Sequence, residues 1–156
     1  MQFWMLNLRQ MVVSYPYQKI GIPNAYLVFW WFFEKFTILL GLLRLDLLYR
    51  QVISKLTGAR KLTPQERRLA ATIFRDSIPY DRVYIREGTH WGTRKGKVVY
   101  ASFTVINAFH LLDRQTLIHE LVHIWQYYRH GVAYIPRALA AQQTEKGYDY
   151  GGVSFL

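Results

Sequence analysis

The residues most able to do chemistry in this sequence lie close together, at His119, Glu120 and His123. They form the pattern His-Glu-x-x-His. In a helix, residues four apart lie one turn above each other on the same face, so both imidazoles can bind one ion. Glu120 lies beside that stripe, where its carboxylate reaches a metal-bound water instead of ligating the metal. The spacing therefore predicts a Zn²⁺ site with Glu120 as general base.

The segment around this pattern has the composition of an amphipathic helix, expected from Leu111 to about Tyr128 with Asp113 near its start. One arc of that helix is polar and includes Thr116, Gln126 and the three candidate site residues. The other arc anchors the helix to a core. An amphipathic helix with two surface histidines is the alternative interpretation. The apolar arc comprises Leu117, Ile118, Leu121, Val122, Ile124, Trp125 and Tyr128.

A catalytic zinc needs a third protein ligand and one open position for water. Gln126 and Arg129 occupy the positions where metzincins have a Gly and a third His, so this subclass does not fit. The other large subclass takes a Glu from a later helix, and Glu145 is the only glutamate that follows the motif. We expect Glu145 to be the third ligand, with a solvated Glu as the alternative and with His110 and Asp149 in reserve.

Composition and charge narrow the possible partners. The formal net charge of +10 favours anionic partners such as nucleic acid, anionic lipid or an acidic protein surface. The chain has no cysteine, so disulfides and thiolate metal sites are excluded and a metal must bind imidazole and carboxylate. The basic loop at 90–97 matches no nucleic-acid-binding module, and a nucleic-acid partner is not expected.

The apolar residues are concentrated in residues 1–57, which are expected to form a helical, aromatic-rich extension of a domain at 58–156. Asn24 is the expected N-cap of a helix that ends near Gly58. No clean signal peptide is present. The location of the protein is therefore undecided. It is cytoplasmic, membrane-associated, or exported by a secretion system without a cleavable signal.

Three interpretations of the extension remain. It forms a helix or a helical hairpin that packs on the second half, lies in a membrane surface through residues 20–49, or crosses the membrane, which needs about 20 mostly apolar residues. Glu34 and Lys35 interrupt the apolar run and oppose burial in lipid unless they pair with each other.

The rest of the chain predicts an α+β fold, with the motif helix packed on a short sheet. Residues 58–62 are interpreted as a joint. Thr63, Pro64 and Glu66 predict a helix start with a capping box, and that helix should end near Arg75. Strands are expected at 82–86 and 98–108, and a last helix after Pro136.

At three segments the sequence resembles a family of bacterial zinc metallopeptidase-like domains found with contractile injection and type VI secretion systems. The segments are residues 82–85, 101–107 and 117–127, and residues 148–150 also resemble the family. The resemblance implies a gluzincin-like, or zincin-like, fold in which an edge strand borders a cleft over the zinc helix. It further implies His119 and His123 as ligands, Glu120 as base and secretion-system proteins as partners.

The sequence departs from the family at one place. Family members continue into a helix with a Glu in an Asn-x-Glu-Gln-Gln-Ala-like run, and no such run follows here. Either Glu145 replaces that ligand, the site is incomplete, or another chain supplies it. With a complete site, we expect hydrolysis of a peptide or protein substrate that pairs with the strand at 98–107, and Tyr148 donating to the oxyanion, unless Tyr148 is only a packed aromatic.

Two other functions are kept open. One is a non-catalytic zinc-binding or interaction module in a secretion-related assembly. The other is a membrane-associated protein in which the His-Glu-x-x-His pattern is incidental.

Overall fold

The computed structural model describes residues 5, 7, 11, 17, 22–88 and 98–143 of the 156-residue chain. Glu145, Tyr148, Asp149 and the basic loop at 90–97 lie outside the described residues. The predictions made for them therefore stay predictions.

The described residues form five α-helices and a four-stranded sheet, which confirms a mixed fold of helices and strands with an apolar N-terminal helix. A 3₁₀ turn precedes the second strand. The helices are α1 (Asn24–Leu42), α2 (Leu45–Leu56), α3 (Pro64–Phe74), α4 (Arg114–His130) and α5 (Tyr134–Gln142), and the strands are β1 (Arg60–Lys61), β2 (Tyr84–Glu87), β3 (Tyr100–Ser102) and β4 (Val105–Ala108).

The chain divides into two compact units. Unit 1 comprises residues 1–43 and 130–156, and unit 2 comprises residues 44–129. The division between the units falls after residue 43, whereas the sequence suggested a boundary at 57, and the C-terminal residues are grouped with the apolar N-terminal part.

Between Pro23 and Gly58, where the sequence left open one helix or a helical hairpin, the structure has two helices. Arg44 adopts a left-handed backbone conformation with φ of 60°, which ends the hydrogen-bond ladder of α1 before α2 begins. The expected N-cap at Asn24 is also wrong, because Pro23 holds that position and no side chain caps the helix. Asp46 lies in the first turn of α2, where the positive end of the helix dipole stabilises a carboxylate.

Unit 1 is built on the packing of α1 against α5. Gly41 of α1 leaves room for the side chain of Val132, just before α5: a Cβ added at Gly41 would lie 2.6 Å from a methyl carbon of Val132. Glu34, in the middle of α1, is buried and accepts hydrogen bonds from Arg137 of α5 at 2.8 Å and from Tyr17 at 2.5 Å. A small apolar cluster completes the packing: Tyr17, Ile22, Trp30 and Ala140, with Leu27 and Phe33 at its edge.

Unit 2 contains the sheet, with strand order β1-β2-β4-β3. The β2–β4 pair is parallel and the two outer pairs are antiparallel, so β3 is an edge strand that runs against its neighbour. The strand expected at 82–86 is confirmed from Tyr84, but Arg82 belongs to the 3₁₀ turn.

The single strand expected at 98–108 is wrong. The chain reverses at Phe103 (φ 56°) and Thr104, and the two halves pair as the hairpin β3–β4. The joint expected at 58–62 also contains a short strand, β1.

Arg60 of β1 holds three elements together. Its guanidinium pairs with Glu66 of α3 at 2.8 Å and with Glu87 of β2 at 2.7 Å. These two carboxylates raise the pKa of the guanidinium by hydrogen bonding.

The expected start of α3 is confirmed. The Thr63 side chain accepts from the Glu66 backbone N–H at 3.2 Å, the Glu66 carboxylate accepts from the Thr63 N–H at 2.7 Å, and Pro64 is the first helical residue. The helix ends at Phe74, as expected.

Replacing Thr63 by Ala should lower the free energy of unfolding by about 1 kcal/mol, because the cap is lost. Chemical denaturation measures this change. Thr72→Ala is the matched control, since Thr72 is exposed inside α3 and its hydroxyl donates only to the Leu69 carbonyl. Equal effects of the two substitutions would show that the cap contributes nothing specific.

The core of unit 2 lies between the sheet and helices α3 and α4. Buried residues of the sheet and of α4 share one cluster, so the sheet anchors the helix that carries the motif. The cluster comprises Ala70, Phe74, Ile78, Tyr80, Val83, Ile85, Ile106, Leu117, Leu121 and Ile124.

Candidate metal site

The motif residues lie in the middle of helix α4, whose first residue is Arg114. Asp113 caps the helix: its Oδ1 accepts from the Thr116 backbone N–H at 2.9 Å, and its Oδ2 accepts from the Thr116 hydroxyl at 2.7 Å. These hydrogen bonds, the backbone one first, lower the pKa of the Asp113 carboxyl. The sequence placed Asp113 near the start of this helix, and the helix begins at Arg114 instead of at the expected Leu111.

His119 and His123 lie together on one face of α4. Their ring centroids are 5.0 Å apart and their planes are inclined by 83°. His119 is exposed and His123 is half-buried. The predicted pairing of the two imidazoles is therefore present, on an accessible face of the helix.

Gln126 orients the second histidine. Its Oε1 lies 3.0 Å from Nδ1 of His123, one turn further along α4. With Nδ1 as donor to the amide oxygen, the neutral ring carries its lone pair on Nε2, as a metal ligand requires. The sequence analysis grouped Gln126 with the polar arc without giving it this role, although the spacing of three residues was the available signal.

The sequence placed Glu120 on the polar arc of the helix, at an edge that can line a cleft. It is only 3% exposed, whereas Val122 of the supposed apolar arc is exposed. The apolar arc is therefore interrupted, and Glu120 faces the packed side of α4 beside the sheet. Burial raises the pKa of the Glu120 carboxyl, while His119 and the backbone N–H of Ala101 act in the opposite direction.

The edge strand β3 borders Glu120. Ala101 lies opposite Ile106 in the hairpin, and its N–H donates to the Glu120 carboxylate, so this N–H points away from β4 toward the outer edge of the sheet. The sequence analysis did not identify Ala101, because the residue contributes through its backbone and the hairpin was not foreseen.

One oxygen of Glu120, Oε2, is buried and has no hydrogen-bond partner among the described residues. Leaving a buried carboxylate oxygen without a hydrogen bond costs free energy. Such groups mark sites that hold a water or an ion or that take part in catalysis. The carboxylate is thus available to a group that enters beside the two histidines.

The third ligand is not found in the part of the chain that the structure describes. No group of three or more His, Asp and Glu residues suited to a metal occurs there. The reserve candidate His110 is exposed and contacts the Leu111 carbonyl through Nδ1 at 2.6 Å. Glu145, Asp149 and Tyr148 are outside the described residues, so the predictions made for them are neither supported nor opposed.

The position of the hairpin depends on α2. Phe103, at the turn, makes edge contacts with Tyr49 of α2 and Tyr127 of α4, each with a centroid distance of 5.7 Å. The Tyr127 hydroxyl donates to the buried Asp46 carboxylate, and burial and this bond raise the pKa of Tyr127. Residues before 57 therefore support the motif helix within unit 2.

Comparison of the chain with protein-family models, with curated proteins and with solved structures finds no match. The function is therefore argued from the site alone.

Proposed function

We propose that unit 2 binds zinc through His119 and His123 and hydrolyses peptide bonds with Glu120 as general base. The observation that carries the proposal is the buried Glu120 carboxylate, whose Oε2 has no partner among the described residues, next to a pair of imidazoles one helical turn apart. A bound zinc supplies a water of lowered pKa and polarises the scissile carbonyl.

The chain's own residues supply the proton transfers. Glu120 takes the proton of the attacking water and delivers it to the leaving amine. Its burial favours this role, since burial raises the pKa of the carboxyl and so makes the carboxylate a stronger proton acceptor.

Substrate binding is assigned to the outer edge of β3. An extended peptide adds to an exposed edge through main-chain hydrogen bonds, with little demand on its sequence. The Ala101 N–H that now donates to Glu120 lies on that edge, so a paired substrate would lie beside the base. We assign the third ligand to Glu145 and the oxyanion donor to Tyr148, as the sequence suggested.

The proposed zincin-like fold has one further support. The order of elements is helix α3, strand β2, an antiparallel edge strand, a strand parallel to β2, and then the motif helix. This order agrees with the expected short sheet whose edge strand borders the cleft.

A second candidate is a non-catalytic zinc-binding or interaction module, with secretion-system proteins as proposed partners. It is favoured by the finding that no group of three or more His, Asp and Glu residues suited to a metal occurs within the described ranges. In the first candidate Glu145 is the third metal ligand of a catalytic site, and in the second candidate it is not.

Metal analysis tests the site. After dialysis the wild type should retain about one zinc per chain, and a variant with both His119→Ala and His123→Ala should retain none. His110→Ala, a matched change at an exposed histidine, should keep the metal. Undiminished zinc in the double variant would contradict the assignment. Glu145→Ala should weaken zinc binding and cleavage together if Glu145 is the third ligand.

A further inference from the structure

The outward face of α1 carries a continuous apolar surface, independent of the zinc site. At 100° per residue, the side chains buried within unit 1 fall on one stripe of the helix, around Glu34. The opposite arc is exposed along almost the whole helix; it holds no Asp, Glu or Gln, and Asn24 lies at its first residue. The exposed large apolar residues of α1 and its C-cap, called here the outward arc, are Tyr26, Val28, Phe29, Trp31, Phe32, Phe36, Leu39 and Leu43.

This surface is too large for an ordinary water-exposed helix. Contiguous apolar patches above a few hundred square ångströms are uncommon on soluble monomers and mark interaction surfaces. A helix that is apolar on all sides is either the core of a protein or in contact with lipid. For α1 the first possibility does not apply, because only 22% of its most apolar 18-residue window is buried in the protein.

The charged residues of α1 do not oppose contact with lipid. The sequence left open whether Glu34 and Lys35 pair with each other, but Glu34 instead pairs with Arg137 on the buried side of the helix. Lys35 is half-buried at the border of the arc, with its ammonium 5.9 Å from the Trp31 ring centroid. A lysine in this position can extend its charge along the helix toward the headgroups. The carboxylate is therefore shielded by α5, and the outward arc carries no negative charge.

The length of α1 also fits a bilayer. Its 19 residues rise about 28 Å, close to the hydrocarbon thickness of about 30 Å. Among the helices that the structure describes, α1 alone is long and apolar enough to cross a membrane by length and composition.

We propose that the outward arc of α1 contacts the acyl chains of a lipid bilayer and anchors the protein there, with α5 covering the Glu34 side. The charge of the chain decides between lipid and a second copy as the occupant. A net charge of +10 makes two copies repel and attracts an anionic lipid surface.

Flotation tests the anchor. The full chain is reconstituted from detergent with phosphatidylcholine vesicles, with or without phosphatidylglycerol, and centrifuged through a density gradient. We expect the protein to float with phosphatidylcholine alone and to stay bound at about 1 M salt, where the Debye length is roughly 3 Å and charge attraction is screened. Phosphatidylglycerol should increase the bound fraction.

A variant with Phe32→Gln and Phe36→Gln should lose most of the flotation. The matched control carries Ile73→Gln and Leu111→Gln, which are equally exposed apolar residues of unit 2, and it should float like the wild type. A second pair on the same arc, Val28→Gln with Leu39→Gln, gives the test again if the first variant fails to fold.

Three results would overturn the anchor. The wild type could sink as an oligomer, which would assign the arc to a second copy. It could float only with phosphatidylglycerol and detach in salt, which would make the binding electrostatic. The arc variants could float as well as the control, which would place the lipid contact elsewhere.

Discussion

Replacing Glu120 by Gln should lower the rate of peptide cleavage by about 10²–10⁴-fold, while zinc content and fold are retained. The amide has nearly the size of the carboxylate and can still accept from the Ala101 N–H, so basicity is the property that changes. Cleavage of an unstructured peptide by the metal-loaded protein measures the effect. The variant should be no less stable than the wild type at neutral pH, because burial already disfavours the ionised carboxylate.

Asp113→Asn is the matched control for this substitution. It makes the same carboxylate-to-amide change on the same helix, and Asn caps a helix about as well as Asp. Its cleavage rate should equal that of the wild type. Full activity of the Glu120→Gln variant would exclude Glu120 as the base. A wild type that binds zinc and cleaves no peptide would instead favour the non-catalytic module.

Replacing Arg137 by Leu should lower the free energy of unfolding of unit 1 by about 3–5 kcal/mol, because Glu34 is left as a buried charge without its ion-pair partner. The Tyr17 hydroxyl, at 2.5 Å from Glu34 Oε2, cannot supply the missing positive charge. Denaturant unfolding followed through tryptophan fluorescence measures the change, since Trp30 stacks on Tyr17 in this unit.

The double variant Glu34→Leu with Arg137→Leu should recover most of that loss, because no uncompensated charge stays buried. Arg114→Leu removes an exposed arginine and should change stability by no more than about 0.5 kcal/mol. If the single Arg137 variant is as stable as the Arg114 control, the Glu34–Arg137 pair does not hold the two helices together.

Local patterns in the sequence predicted the elements that depend on local interactions. The Thr63–Glu66 capping box is complete within four residues, so the sequence alone specifies it, and the position of Asp113 near the start of α4 was predicted in the same way. The spacing of His119 and His123 likewise depends only on helix geometry.

Features that depend on contacts between residues distant in the chain could not be predicted from local sequence patterns. The burial of Glu120 results from its position against the edge strand β3, whose hairpin the β-propensity of residues 98–108 did not reveal. The division after residue 43 depends on an arginine in a left-handed conformation, which no residue preference indicates. The partner of Glu34 is 103 residues away in the chain, at Arg137.

The conformation of the turn at Phe103 determines how much of the chain helix α4 needs in order to keep its surroundings. The left-handed conformation of a non-glycine residue, here with φ of 56°, costs roughly 1–2 kcal/mol. The local backbone preference of the turn residues therefore does not stabilise the hairpin. Its aromatic contacts with Tyr49 and Tyr127 offset that cost, and Tyr49 belongs to a helix that precedes the motif by about 60 residues. A graft that begins at Thr63 would carry the motif but would lack Tyr49 and its contact with Phe103. The smallest transplantable module therefore begins at α2.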